Sequence, residues 1–195
     1  MKILKRVFLA ACLTAVLIFG TYFFWLSPRY VVPILMYHRF GYQKNSLSVT
    51  PENFERQLVY LKNNGYRVIS LDALVQGIGQ NKKFGRKTAV ITVDDGWEDN
   101  YTCAYPVLKK FGFPVTIFLA VDLIGKKPEF LTWEQVKTMQ KDKIGFGCHT
   151  KNHIYLPSVK EPDRLWDEIG GCKDVLQKEL GVPVDWYCYP TGGFT

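Results

Sequence analysis

From Val7 to Leu26 the chain carries no charge for 20 residues, after the basic start Met1-Lys2-Ile3-Leu4-Lys5-Arg6 and before Ser27-Pro28-Arg29. As a helix rising ~1.5 Å per residue, such a run crosses the ~30 Å hydrocarbon core of a bilayer. It predicts an N-terminal transmembrane helix, a signal-anchor over residues 1–29, with a separate body over 30–195. A cleaved signal peptide is the competing reading. The run exceeds the ~7–15 apolar residues of a typical signal and lacks a small-x-small site before Pro28, which favours the anchor. Lys2, Lys5 and Arg6 stay in the cytoplasm by the positive-inside rule, so the body is expected outside, on a single-pass protein of the cell membrane.

Beyond Arg29 the pattern changes to short apolar runs alternating with helical stripes, the signature of an α/β protein with a mainly parallel sheet. The strands expected are Val31–Tyr37, Tyr66–Ile69, Ala89–Val93, Val115–Leu119, Ile144–Cys148 and Val184–Tyr189. Thr50 and Pro51 open a helix with Phe54, Leu58 and Leu61 on one face and Gly65 at its end. Asn100 to Phe111 stops at Gly112 in the same way, and Thr132 with Gln135 forms a capping box ahead of Val136 and Met139. Leu165, Ile169, Cys172, Leu176 and Leu180 make a last apolar stripe, closed by Gly181. His38, Asp94, Asp95, His149 and the Pro190-Thr191-Gly192 turn all follow strand ends, the edge where parallel α/β folds carry their sites.

The 195 residues, 47% of them hydrophobic, suffice for one ordinary core. The net charge of +7 is divided unevenly, because Lys2, Lys5, Arg6 and Arg29 meet no acid in the first 29 residues, leaving 21 basic against 18 acidic in the body. No basic block lines one element, so nucleic acid is not an expected partner. Of the four cysteines in the body, Cys103, Cys148, Cys172 and Cys188, none forms a CxxC pair. They read as free thiols, with a Cys148–Cys188 bridge as the alternative that an extracytoplasmic location would permit.

Candidate chemistry centres on the histidines, of which the chain has 3. Two of them, His149 and His153, stand at i and i+4; with one carboxylate of Asp94-Asp95 they make a three-ligand set that leaves coordination positions open for water and substrate. One carboxylate and two imidazoles suit Zn²⁺, Co²⁺, Ni²⁺ or Fe²⁺ better than Ca²⁺ or Mg²⁺. Successive side chains leaving a strand diverge, so one aspartate can hold the cation while the other takes a proton from water, and Gly96 allows the tight turn beside them. Taken singly, an Asp-Asp-Gly is usually a turn and a His-x3-His a helix face. Non-haem iron oxygenases also use two His and one carboxylate, but with the ligands in the reverse order. Position 150 is Thr, which excludes the zinc proteases that need Glu there. His38 either lines the cleft or hydrogen-bonds within the core.

Val93-Asp94-Asp95-Gly96 and His149-Thr150-x-x-His153 resemble the first two motifs of the polysaccharide deacetylases, carbohydrate esterase family 4. Pro33-Ile34-Leu35-Met36-Tyr37-His38-Arg39-Phe40 and Tyr187-Cys188-Tyr189-Pro190-Thr191-Gly192-Gly193 are similar to that family too. The resemblance implies a deformed (β/α) barrel that binds a divalent metal, Zn or Co, through Asp95, His149 and His153, with Asp94 as general base. It implies hydrolysis of N-acetyl groups on an acetylated amino-sugar polymer, an N-acetylglucosamine polysaccharide of cell wall or exopolysaccharide. The Thr191 N–H would hold the oxyanion, and His38, Tyr189 and Pro190 would line the substrate site. Val93 replaces the family's usual Phe, and Thr191 its usual aromatic residue. The family continues past the third motif to a histidine that protonates the leaving amine, so a barrel incomplete at its C-terminus is expected. A catalytically impaired saccharide-binding module on the same fold is the alternative; the intact Asp94 speaks against it.

Overall fold

The structure, a computed structural model, describes residues 2–26 and 31–194. The chain divides into two units, Met1–Val31 and Val32–Thr195. The Ser27-Pro28-Arg29 end of the apolar run, and with it the boundary expected at residue 29, lies outside the described residues.

In the first unit, α1 spans Lys2–Thr21 and continues through one wide turn, Tyr22–Leu26. Ile3–Phe24 is long and apolar enough to cross a membrane. Leu9, Leu13 and Leu17 are 61–72% exposed. Its two hydroxyls are returned to the helix, Thr14 donating to the Ala10 carbonyl at 3.0 Å and Thr21 to that of Leu17 at 2.8 Å.

The second unit is an α/β fold. Its strands are β1 (Ile34–Tyr37), β2 (Arg39–Phe40), β3 (Ser48–Val49), β4 (Arg67–Val68), β5 (Thr88–Val93), β6 (Val115–Leu119) and β7 (Ile144–Cys148). The main sheet runs β1-β5-β6-β7, all parallel, with β4 against the start of β5. Every residue of β5 and β6 is buried, so these central strands read as continuous apolar runs, whereas β1 at the end of the order alternates. β2 and β3 form a small parallel pair.

The helices are α2 (Pro51–Asn63), α3 (Leu71–Gly79), α4 (Tyr105–Phe111), α5 (Trp133–Gln140), α6 (Pro162–Trp166) and α7 (Cys172–Leu180). Thr50 caps α2 by accepting from the Asn53 N–H, and Phe54, Leu58 and Leu61 face the core as the spacing predicts. The Thr132–Gln135 capping box is formed, and Gly112 and Gly181 close α4 and α7 in the left-handed conformation. One large core joins α2, α4, α5 and α7 to the sheet, and a small cluster of Val32, Ile69, Leu74 and Val90 sits under α3.

Several expected elements differ. Val184–Tyr189 is not a strand: it touches β7 through a single bridge, Cys148 to Tyr187, while the Val184 N–H is taken by Gln177 Oε1. β1 starts at Ile34 rather than Val31, after Pro33, which has no N–H to give. Asn100–Ala104 is a π-turn, because Pro106 cannot donate to the carbonyl four residues before it. The stripe from Leu165 to Leu180 is broken by a second π-turn, Asp167–Gly171, where Gly170 and Gly171 weaken the helix and Glu168 turns inward. α3, with Gly77 and Gly79 in nine residues, gives no strong helical signal in sequence.

Candidate metal centre

Asp94 and Asp95 directly follow β5, His149 follows β7 and His38 follows β1, so three parallel strands deliver their C-terminal ends to one place. The loops there are held in unusual backbone conformations. Asp95, Thr150, His153 and Thr191 have φ of 77°, 63°, 54° and 56°, a region that non-glycine residues enter mainly where the surroundings impose it.

Asp95 Oδ1 faces both imidazoles, 3.3 Å from His149 Nε2 and 3.0 Å from His153 Nε2. The three donor atoms lie within 4.8 Å of one another. Oδ1 is buried and accepts no well-directed hydrogen bond, so its lone pairs point into the space the two nitrogens share. His149 Nδ1 lies 2.9 Å from the Cys188 carbonyl, which can only accept. The proton is therefore on Nδ1, and the Nε2 lone pair is free for a cation. Trp97 Nε1–H donates to Asp95 Oδ2 at 2.8 Å and fixes the carboxylate plane. An orphaned buried oxygen, a tautomer set by its partner and an oriented carboxylate fit a divalent cation of the imidazole-loving class.

Burial acts to raise the Asp95 carboxyl, but His149, His153 and Trp97 facing it prevail and hold it far below the ordinary carboxylate range. The same contact raises the His153 imidazole. Asp94 moves the other way: only 3% exposed, its carboxyl is raised by desolvation against the pull of His149 and His38. Its Oδ1 has no partner, and its Oδ2 lies 3.9 Å from His38 Nε2 and 3.7 Å from Cys188 Sγ. Two adjacent carboxylates thus differ in protonation preference, which is how one site separates a ligand from a base.

The polysaccharide deacetylase family model matches residues 81–195. The chain belongs to the polysaccharide deacetylase family. It is 36% identical over 163 residues, 84% of this chain, to the Bacillus subtilis (strain 168) protein YxkH, provisionally named a polysaccharide deacetylase. It is also 29% identical over 108 residues, 53% of this chain, to the poly-beta-1,6-N-acetyl-D-glucosamine N-deacetylase of Staphylococcus aureus (strain MSSA476). The chain spans 57% of the first relative's length and 37% of the second's. Among solved structures, Streptococcus pyogenes deacetylase PplD in complex with acetate superposes with a TM-score of 0.79 at 31% identity, covering 84% of this chain and 75% of that one. Members of this family generally use a divalent metal, and among the described residues Asp95, His149 and His153 form one set that could hold one and Asp94, His149 and Cys188 another.

The structure brings Asp94, Asp95, His149, His153 and His38 together. Pro190 is buried in a short 3-10 turn, Thr191 lies exposed in it, and Tyr189 packs edge-on against Tyr187. The cysteines are free thiols; Cys188 directs its sulfur to Asp94 instead of bridging Cys148.

Sequence reasoning missed three supports. Trp97 has its ring held between Phe130, 4.3 Å away, and the Arg39 guanidinium, 4.1 Å away, while Arg39 pairs with Asp99 at 2.9 Å. Glu168, 4% exposed, accepts from the Lys151 and Asn152 backbone N–H groups at 2.9 and 3.0 Å and from Asn152 Nδ2 at 2.9 Å, tying down the loop between His149 and His153. Cys188 lies against Asp94. Trp97 was reachable in principle, two residues after Asp95, but nothing in the spacing links Glu168 to a loop 16 residues earlier.

Proposed function

We propose that this chain is a membrane-anchored, metal-dependent hydrolase that removes N-acetyl groups from an N-acetylglucosamine polymer of the cell envelope or an exopolysaccharide. The observation that carries this reading is the convergence of Asp95, His149 and His153 beside a second, separately tuned carboxylate. The Staphylococcus relative, named for N-deacetylation of poly-beta-1,6-N-acetyl-D-glucosamine, supports the substrate class, and acetate in the Streptococcus neighbour matches the expected product. Residues 1–29 are the anchor and 30–195 the catalytic domain on this reading, with the domain outside the cell.

Asp95, His149 and His153 hold the cation, Zn²⁺ or Co²⁺ by ligand type. A bound divalent cation supplies Lewis-acid polarisation of the acyl oxygen and acidifies the attacking water. Asp94 takes that water's proton; its desolvated carboxyl is a stronger base than an exposed aspartate. Thr191 offers its backbone N–H to the developing oxyanion, a role independent of its own side chain. His38, Tyr189 and Pro190 border the sugar, with His38 Nε2 3.9 Å from Asp94 Oδ2.

Metal analysis and titration of the full chain beside Asp95→Ala, with acetate release from N-acetylglucosamine oligomers, test this. One Zn²⁺ or Co²⁺ per chain is expected, with at least ~100-fold weaker binding in Asp95→Ala. Asp94→Asn should keep the metal and lose ~10²–10⁴-fold in acetate release. A folded chain that binds no divalent cation would overturn the proposal.

A further inference from the structure

Cys188 has no part in the reaction as derived, yet its Sγ is the atom that approaches Asp94 Oδ2, at 3.7 Å. Asp94, His149 and Cys188 present one donor atom each within 4.8 Å of one another, and the first two are buried. Asp94 Oδ1 is fully enclosed and has no hydrogen-bond partner. A buried carboxylate, an imidazole and a thiol thus face one another beside the Asp95–His149–His153 set, with Oδ2 the carboxylate oxygen that meets the thiol. The two sets share His149. Its Nδ1 is engaged by the Cys188 carbonyl at 2.9 Å, so Nε2 is the ring's single free donor and serves one cation at a time.

We infer that the centre holds two alternative cation seats that share His149. Asp95, His149 and His153 take a borderline cation, and Asp94, His149 and Cys188 take a thiophilic one such as Cd²⁺. Thiolate ligands select soft cations, whereas a seat of imidazoles and one carboxylate does not. On binding, the Cys188 S–H proton passes to solvent as the sulfur–cation bond forms, with no change of oxidation state. Resting on the proposed role of Asp94, occupancy of the second seat inactivates the enzyme, because the base becomes a ligand and His149 is withdrawn from the productive seat.

The test is a Cd²⁺ titration of the metal-free full chain, followed by thiolate-to-cadmium charge-transfer absorption in the near ultraviolet. One equivalent should produce the band. Cys188→Ser and Cys188→Ala should abolish it, with circular dichroism confirming their fold, and Asp94→Asn should weaken Cd²⁺ binding at least tenfold. His153→Ala should retain the band while losing Co²⁺ binding, because His153 belongs to the other seat alone. Absence of the band in the wild type, its persistence in both Cys188 variants, or its loss in His153→Ala would each overturn the inference. The band is read without any substrate or activating metal. A wild-type chain that binds Cd²⁺ through Cys188 but never binds Co²⁺ or Zn²⁺ would instead count against the proposed function.

Discussion

Gly96 follows Asp95 with φ +81°, and a Cβ built there would stand 2.6 Å from Leu119 Cδ2 and 3.0 Å from Ile124 Cδ1, both in fully packed side chains. The left-handed backbone costs an L-residue ~1–2 kcal/mol and overpacking ~1–3 kcal/mol. Gly96→Ala should therefore lose about 2–5 kcal/mol in denaturant unfolding and shift the Asp95 carboxylate as well. Trp97 separates the ring's packing from its N–H. Trp97→Phe keeps the stack between Phe130 and Arg39 but deprives buried Asp95 Oδ2 of its donor. Metal titration should show ~10–100-fold weaker binding with an almost unchanged melting temperature. At this scale the sequence already names the candidate ligands, because few residue types bind a cation and only three histidines exist. It does not name their supports, since a tryptophan or a glutamate has many ordinary uses.

The loop that carries His149 and His153 is positioned by an element distant in sequence. Two of its residues, Thr150 and His153, adopt positive φ, and the π-turn Asp167–Gly171 brings the Glu168 carboxylate beneath its backbone. Glu168→Gln preserves size but replaces one accepting oxygen with a donor, leaving loop N–H groups or Asn152 Nδ2 without a partner at ~1–3 kcal/mol. Faster amide exchange at Lys151 and Asn152 than in the wild type is the expected signature, because local opening becomes easier. The π-turn is also where the apolar stripe from Leu165 to Leu180 misleads: periodicity supposes one regular helix, and the inserted residue rotates Glu168 inward. Val184–Tyr189 misleads for a related reason. Its apolar residues resemble a strand, but pairing needs a partner edge along its length, and only one bridge to β7 forms.

For the whole molecule, α1 is long and apolar enough to cross a membrane and carries its charges at its start, so the full chain should sediment with membranes and resist high salt. Detergent should release it. Leu13→Arg with Leu17→Arg, each costing ~2.5–3.5 kcal/mol at a helix centre, should leave the chain unable to integrate. Appearance of a shorter mature chain would instead identify a cleaved leader. The sequence by itself determined the apolar helix, the alternation of strands and helices, the capping of α2 and α5, and the choice of Asp94, Asp95, His149 and His153 as candidates. These are local properties, written in periods of two or 3.6 residues and in the narrow chemistry of cation ligands. Only the tertiary structure decided which strand ends meet, that adjacent Asp94 and Asp95 are driven to opposite protonation preferences, and that Cys188 and Glu168 stand beside residues far away in the chain. Those outcomes depend on burial and on distances between separate elements, which sequence spacing does not encode.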